Sequence, residues 1–296
     1  MADLHQFPLS QLIEVIADND AFLADNYLSD NLAVARNMRV ELIHEQIMSG
    51  PVLLPEMRLM IVLRGWARPV FNLMEYQLNA GDLVYLGTNG ILEYLDVAPD
   101  IRAIGISMSD ELFSLAIGNK MPRAFDGHLR DFIIKLKPHQ LDFLNRLHGL
   151  IYNQMCQDSR NAQVVLHIIS SFLWYVDSLW DEQEQTNRAA QSRAQQMFSA
   201  FMQLVTSHAS HWHTIEPYAS QLCVTPRYLS TVVKQVSGKS AKQWIDEALV
   251  TRIKIDLRHS DKSVAQISDE LTFPNPSFFT RFFKRMTGMT PSQLRR

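Results

Sequence analysis

The chain repeats itself near its C-terminal end, and that repeat limits its fold more than any other feature. TIEPYASQLCVTPRYLSTVVKQVSGKS, beginning at Thr214, aligns with SVAQISDELTFPNPSFFTRFFKRMTGMT, beginning at Ser263. Ile215 pairs with Val264, Tyr218 with Ile267 and Leu222 with Leu271 at an offset of 49. One extra residue in the PNPS turn moves the offset to 50, and Leu229 then pairs with Phe279, Lys234 with Lys284 and Gly238 with Gly288. Each copy reads as a short helix, a proline-containing turn of about four residues and a second helix of about ten, closed by Gly238 or Gly288. That is the layout of a helix-turn-helix. The turn lacks the glycine often found there, so on layout alone a purely structural helical hairpin competes with it.

Helical geometry separates the two readings. At about 100° per residue, Leu229, Val232, Val233 and Val236 share one face, and Arg227, Thr231 and Lys234 centre on the opposite one. In the second copy Phe279, Phe282, Phe283 and Met286 take the buried face, leaving Ser277, Arg281 and Lys284 outward. The apolar faces are simply core. The outward faces of both copies carry cations and hydroxyls, the groups that meet phosphates and base edges in a major groove. Between the copies, Trp244, Ile245, Ala248, Leu249, Ile253 and Leu257 recur at helical spacing within Ser240 to Ser260. Such a helix of about 20 residues is about 30 Å long, close to the ~34 Å between successive major grooves on one face of a duplex.

Charge divides the chain in the same place. The formal net charge of the 296 residues is -3. Split at the polar stretch Asp181 to Gln196, residues 1–185 hold 13 Lys and Arg against 24 Asp and Glu, and residues 186–296 hold 15 against 7. An acidic part of -11 is thus joined to a basic part of +8, the asymmetry expected when one domain alone meets a polyanion. With 47% hydrophobic and 20% charged residues, the chain has enough apolar surface for folded cores. Two cysteines exclude a disulfide scaffold and a four-thiolate zinc site and fit a reducing compartment. The opening residues show no secretory pattern, and no uninterrupted apolar run approaches the roughly 20 residues that span a bilayer. The expected location is the cytoplasm.

Ahead of the repeat the texture changes twice. Leu9, Leu12, Ile13 and Ile16 predict a short amphipathic helix within residues 9–28. From about Arg39, segments such as RLMIVLRGWARPVF, MEYQL, DLVYLG, ILEYLDV and RAIGISM read as short strands of a small β-barrel or sandwich. The NAGD run from Asn79 to Asp82 predicts a hairpin, with Gly81 supplying positive φ. After Pro138, Leu141, Leu144, Leu147, Ile151 and Met155 form one helical stripe. Val165, Ile168, Ile169, Phe172, Val176, Leu179 and Trp180 form a second, wide enough to pack on both the β domain and a second subunit. With QDSRN as the turn, this is a helical hairpin over about 138–182.

The run VAQISDELTFPNPSFFTRFFKRMTGMTPSQLR, Val264 to Arg295, closely resembles the C-terminal signature of the AraC/XylS family of bacterial transcription regulators, over about 100 residues from Gln195. The resemblance implies a seven-helix DNA-binding domain over residues 186–296 with recognition helices at Arg227 to Ser237 and Ser277 to Thr287. On that footing the DNA-binding candidates are Arg227, Ser230, Thr231, Lys234, Ser277, Thr280, Arg281 and Lys284. Arg281 leads for base contact, Arg227 and Ser277 follow, and Lys234 and Lys284 hold the backbone. The first copy departs from the family pattern at Thr231 and Val233, where longer polar and aromatic residues are common. The same resemblance implies that residues 1–185 form a cupin-like β-barrel that senses a small molecule and dimerises through the helical hairpin. The expected fold class is therefore α+β, a cupin-like barrel with a helical hairpin followed by an all-α domain with two helix-turn-helix motifs. Expected partners are double-stranded DNA, RNA polymerase, a small-molecule effector and a second copy of the chain. No cofactor and no membrane is called for, and an activator of transcription fits the family.

For the effector, strand alternation groups Met60, Val62, Arg64 and Trp66 on one face and Leu59, Ile61 and Leu63 on the other. A cation beside an aromatic suits an anionic or sugar-like ligand, so Arg64, Trp66, Tyr85 and Tyr94 are the effector-binding candidates. Outer-face residues with no ligand are the competing reading. Other signals fail. SGKS, Ser237 to Ser240, lacks the first glycine and the preceding strand of a phosphate-binding loop. His208, His211 and His213 have no carboxylate or thiolate beside them. Cys156 and Cys223 fit packing positions and have no His or Asp arranged to activate them. A cupin-type enzyme with a helical assembly domain is the rival class, but it needs His-x-His metal spacing, and the strand region offers only His44. A DNA-binding regulator without a small-molecule ligand is the second rival.

Overall fold

The computed structural model describes residues 9, 25–38, 51–126, 131–157, 161–190, 192–260 and 262–295. They form two compact units that divide between Gln185 and Thr186. The predicted opening helix lies mostly outside the described residues, as does His44. Its expected end does not hold, because Asn26–Leu28 is a strand.

The N-terminal unit is built on two antiparallel sheets. Eleven strands are described: β1 Asn26–Leu28, β2 Leu32–Met38, β3 Val52–Leu54, β4 Met57–Arg64, β5 Trp66–Phe71, β6 Met74–Glu75, β7 Leu78–Asn79, β8 Asp82–Leu86, β9 Gly90–Val97, β10 Arg102–Met108 and β11 Asp131–Lys135. One sheet runs β1-β2-β10-β4-β8-β11, and the other runs β3-β9-β5-β6 with β7 on β5. Val52, Leu54, Met60, Val62, Ala67, Phe71, Val84, Leu86, Leu92 and Tyr94 fill the space between them. The six-stranded sheet is covered on its other face too, which is why its central strands read as nearly continuous apolar runs. On β4 and β8, Leu59, Ile61, Leu83 and Tyr85 face that second core, which helices complete.

Those helices are α1 Asp110–Ile117, α2 Pro138–Met155 and α3 Ala162–Ala190. Leu144, Ile151, Val165, Ile169, Phe172, Leu173 and Val176 are buried against the sheet, each worth about 1.5–3 kcal/mol in apolar burial. Over Ala162–Thr186, α3 is long and apolar enough to cross a membrane. Its apolar stripe is instead spent on this core. The polar stretch after Trp180 is helical through Ala190, and the helix is tied to the unit on either side of Trp180: Asp177 accepts from the Ala124 N–H at 2.8 Å and Asp181 pairs with Arg123 at 2.8 Å.

The NAGD turn has the expected backbone but not the expected role. Gly81 sits at φ 93, and the Asp82 carboxylate accepts from the Asn79 N–H at 2.8 Å. Yet β7 pairs with β5 while β8 pairs with β4 and β11, so the turn carries the chain from one sheet to the other. The two sheets are also joined by Asp131, which accepts from Asn72 at 2.7 Å and from the Tyr76 hydroxyl at 2.8 Å.

The C-terminal unit shows seven helices among its described residues: α4 Arg193–His208, α5 Ile215–Gln221, α6 Pro226–Ser237, α7 Ala241–His259, α8 Val264–Glu270, α9 Pro276–Thr287 and α10 Pro291–Leu294. α7 is buried on more than the predicted stripe, with Val250, Ile255, Asp246 and Asp256 also inside. It serves as a shared core element, packing against α4 and α6 in one direction and α8, α9 and α10 in the other.

Candidate nucleic-acid interface

The two copies of the repeat fold into matching helix-turn-helix units, α5–α6 and α8–α9. Each second helix starts the same way. Proline fills the first position of both, where its missing N–H costs nothing, and a polar side chain caps the free N–H groups. Thr225 accepts from the Tyr228 N–H at 3.2 Å, and Asn275 accepts from Ser277 and Phe278 at 3.1 and 3.0 Å. Each helix ends on a left-handed glycine, Gly238 at φ 74 and Gly288 at φ 78. The repeat also continues past these glycines. Ser240 with Gln243 and Thr290 with Gln293 form the same capping box, with 2.8 Å bonds in both copies.

The missing turn glycine is explained by backbone strain. Cys223 and Thr272, equivalent at the offset of 49, both take φ 54. A non-glycine residue pays a steric penalty in this region, so each turn forces a residue into a conformation that glycine adopts freely. Cys223 is exposed there, not packed on the apolar side of the motif, and Cys156 is exposed as well.

Burial sorts the faces of α6 and α9. Leu229, Val232 and Val233 are buried in the first copy, and Phe279 and Phe283 in the second. Val236 and Phe282 are only half-buried and Met286 is exposed, so the buried faces are narrower than the spacing suggests. Arg227, Ser230, Thr231, Lys234, Ser277, Arg281 and Lys284 are all exposed, and Thr280 is half-buried. Thr231 donates its hydroxyl to the Arg227 carbonyl at 3.0 Å. Two aromatic residues were missed on these helices: Tyr228 is 49% exposed and Phe278 51%, at matched positions of the repeat. The alignment itself pairs them, and that pairing was the available signal.

Behind these faces the supports are polar and specific. Trp244 of α7 donates from Nε1 to the Ser237 hydroxyl at 2.9 Å, and Lys239 lies 4.5 Å from the centroid of the same indole. Arg295 donates to the Leu257 carbonyl at 3.3 Å and to the Lys262 carbonyl, closing the end of the second copy onto α7. His208 stacks on Trp212 with centroids 4.1 Å apart, and His213 packs against Phe273 of the second turn at 5.2 Å.

The four effector candidates do not converge. Arg64 is exposed and pairs with Asp100 at 2.9 Å. Trp66 is 37% exposed, beyond a bend at Gly65, φ 76, where the chain passes from one sheet to the other. Tyr85 is buried in the helix-side core, stacked on Phe132. Tyr94 alone faces the space between the sheets, where a cavity of about 70 Å³ is lined mainly by apolar residues and by Arg58. Burial pushes the Arg58 guanidinium down to about 10, against the opposing pull of Glu56 at 3.8 Å. Burial likewise pushes Tyr94 up to about 12, with Arg58 acting in the other direction. Arg58 is the cation that alternation counting overlooked.

Paired helix-turn-helix units sharing one central helix, with basic and hydroxylic exposed faces, define the class of a DNA-binding domain. A family described as "Helix-turn-helix domain" matches residues 218–296, and this part of the chain is an AraC-type helix-turn-helix domain. The uncharacterized HTH-type transcriptional regulator YijO of Escherichia coli K12 is 24% identical over 144 residues, 49% of this chain and 50% of that protein. The HTH-type transcriptional activator RhaR of Shigella dysenteriae serotype 1 is 22% identical over 247 residues, 80% of this chain and 83% of that protein. The chain thus spans about half the length of the first of these relatives. Among solved structures, ToxT from Vibrio cholerae O395 aligns with a TM-score of 0.36 at 14% identity, over 89% of this chain and 95% of that one.

Proposed function

We propose that the chain is a sequence-specific, DNA-binding transcription regulator of the AraC/XylS type. The observation that carries this reading is the duplicated second helix: proline-started, glycine-closed, apolar within and basic or hydroxylic without. Arg281 reads a base edge, with Arg227 and Ser277 next, while Lys234 and Lys284 hold phosphates. Ser230, Thr231 and Thr280 add hydroxyl contacts. α7 has 19 residues and a length of about 28 Å, a spacing suited to two successive turns of one duplex.

In this reading residues 1–185 are the effector-binding and dimerisation domain and residues 186–296 the DNA-binding domain, acting in the cytoplasm with no enzymatic step. The chain works as a homodimer, with the outer surface of the α2–α3 hairpin as its contact, where Phe143 is 45% and Leu150 50% exposed. RNA polymerase is the partner through which transcription changes. The buried Arg58 and Tyr94 on the wall of the cavity between the sheets favour a ligand-sensing regulator over one without a ligand.

Selection of bound duplexes from a random pool by the full chain tests the reading. The expected result is an enriched motif with two unequal halves, whose affinity falls steeply with salt. Retention of all sequences alike, with no enrichment, would overturn it.

A further inference from the structure

A groove of about 320 Å³ opens beside Tyr85 in the N-terminal unit, where the end of β8 meets α1. Its apolar surface comes from Met57, Phe113 and Phe125, and none of the described residues lining it is basic. Asp110 and Asp126 lie at its polar edge, and Asp110 accepts from the Thr88 hydroxyl at 2.7 Å.

Tyr85 is the unusual member. Its ring is fixed on two sides, edge-on to Phe125 at 5.1 Å and stacked on Phe132 at 4.8 Å. The residue is 5% exposed, lines the groove, and has no hydrogen bond from its hydroxyl to any described residue. The hydroxyl opens to the groove and is not sealed in the core, so a group supplied from outside can reach it. Burial is the main cause that raises its pKa, and the Asp110 and Asp126 carboxylates add to it, which places both negative charges near the phenol. Two carboxylates, a phenol oxygen and aromatic rings in one groove accept a cation and repel an anion.

We propose that this groove binds a small organic ammonium, whose N–H groups donate to Asp110, Asp126 and the Tyr85 oxygen while its apolar body lies on Met57, Phe113 and Phe125. The volume falls in the range of small-molecule sites, which run from about 300 to 1,000 Å³. The site is separate from the cavity between the sheets. It deepens the effector reading by naming a ligand chemistry, and it rests on that reading only for an effect on DNA.

The test uses the full chain and three probes of one shape: benzylamine as its ammonium ion, benzyl alcohol and benzoate. Saturable binding of the ammonium is expected, with the alcohol and benzoate weaker by about tenfold or more. Tyr85→Phe keeps the ring and its packing and is expected to weaken the ammonium about fivefold, and Asp126→Asn about tenfold. Should Asp126→Asn not fold, Tyr85→Phe carries the test alone. Equal binding of all three probes, no saturation by about 10 mM benzylamine, or an unchanged Tyr85→Phe overturns the proposal. DNA affinity is measured separately with and without benzylamine. Binding without a change in DNA affinity upholds the site and overturns its role as the effector site.

Discussion

The guanidinium of Arg281 stands 4.5 Å from the centroid of the Phe278 ring, one helical turn earlier on α9. Because the ring is half exposed, the stack holds Arg281 at the surface and limits its freedom before any contact is made. The first copy has Tyr228 at the ring position but Thr231 in place of the arginine, and that hydroxyl hydrogen is already given to its own helix. The second motif therefore offers a held cation where the first offers a hydroxyl oxygen.

Arg281→Ala is expected to cost about 1–3 kcal/mol at the preferred site and to relax preference at one position. Phe278→Leu removes only the stack and is expected to cost about 0.5–1 kcal/mol with preference retained. Binding across a library of single-base variants separates the two. Unchanged affinity and preference in Arg281→Ala would falsify its assignment to a base.

Lys284→Ala is expected to behave differently, weakening all sequences alike and lowering the slope of log affinity against log salt by about 1. A change confined to one base position would instead move Lys284 from the backbone to a base edge.

The two strained turn residues predict stabilising substitutions. Cys223→Gly and Thr272→Gly each relieve a left-handed penalty of about 1–2 kcal/mol against a glycine entropy cost of about 0.5–1, leaving a net gain of about 0.5–1 kcal/mol. Urea unfolding of the full chain followed at Trp212 and Trp244 reads the C-terminal unit. A loss of stability in both variants would show that the side chains matter more than the backbone.

His148 sets a pH dependence in the N-terminal unit. Its side chain is buried beneath β10, with Nε2 3.2 Å from the Gly105 carbonyl, and burial pushes its pKa down to about 4 while that bond acts in the other direction. The unfolded chain takes up a proton near pH 6.5 that the folded chain refuses until about pH 4. Stability is therefore full above about pH 6.5 and falls as pH drops toward 4, by as much as about 3 kcal/mol. His148→Gln is expected to flatten that fall when urea midpoints at about pH 5 and about pH 7.5 are compared. An equally steep fall in the variant would assign the effect to other groups.

The helical repeat was legible because its signals are local. Proline at the helix start, a capping hydroxyl or amide and a closing glycine act within one turn of the residues they affect, and they recur in both copies. The strands RLMIVLR, DLVYL, ILEYLDV and RAIGISM were legible for the same reason. The effector candidates failed where a local count crossed from one sheet to the other. Alternation was carried through Gly65, but there the chain bends and passes from one sheet to the other, so Arg64 and Trp66 do not share a wall. Arg58 and Tyr94 meet only because β4 and β9 lie in opposing sheets, far apart in the chain. α1 went unpredicted although Ser109 caps it, because eight residues carry too little periodicity.

By itself the amino-acid sequence determined the two-part division of charge, the duplicated helix-turn-helix and which side chains its second helices expose. These follow from helical period and from capping chemistry, both set by near neighbours. Tertiary structure decided which strand faces meet, what lines the cavity and the groove, and that the NAGD turn crosses between sheets. Those depend on pairings such as β10 between β2 and β4, where burial on two faces erases the alternation that would have marked inside from outside.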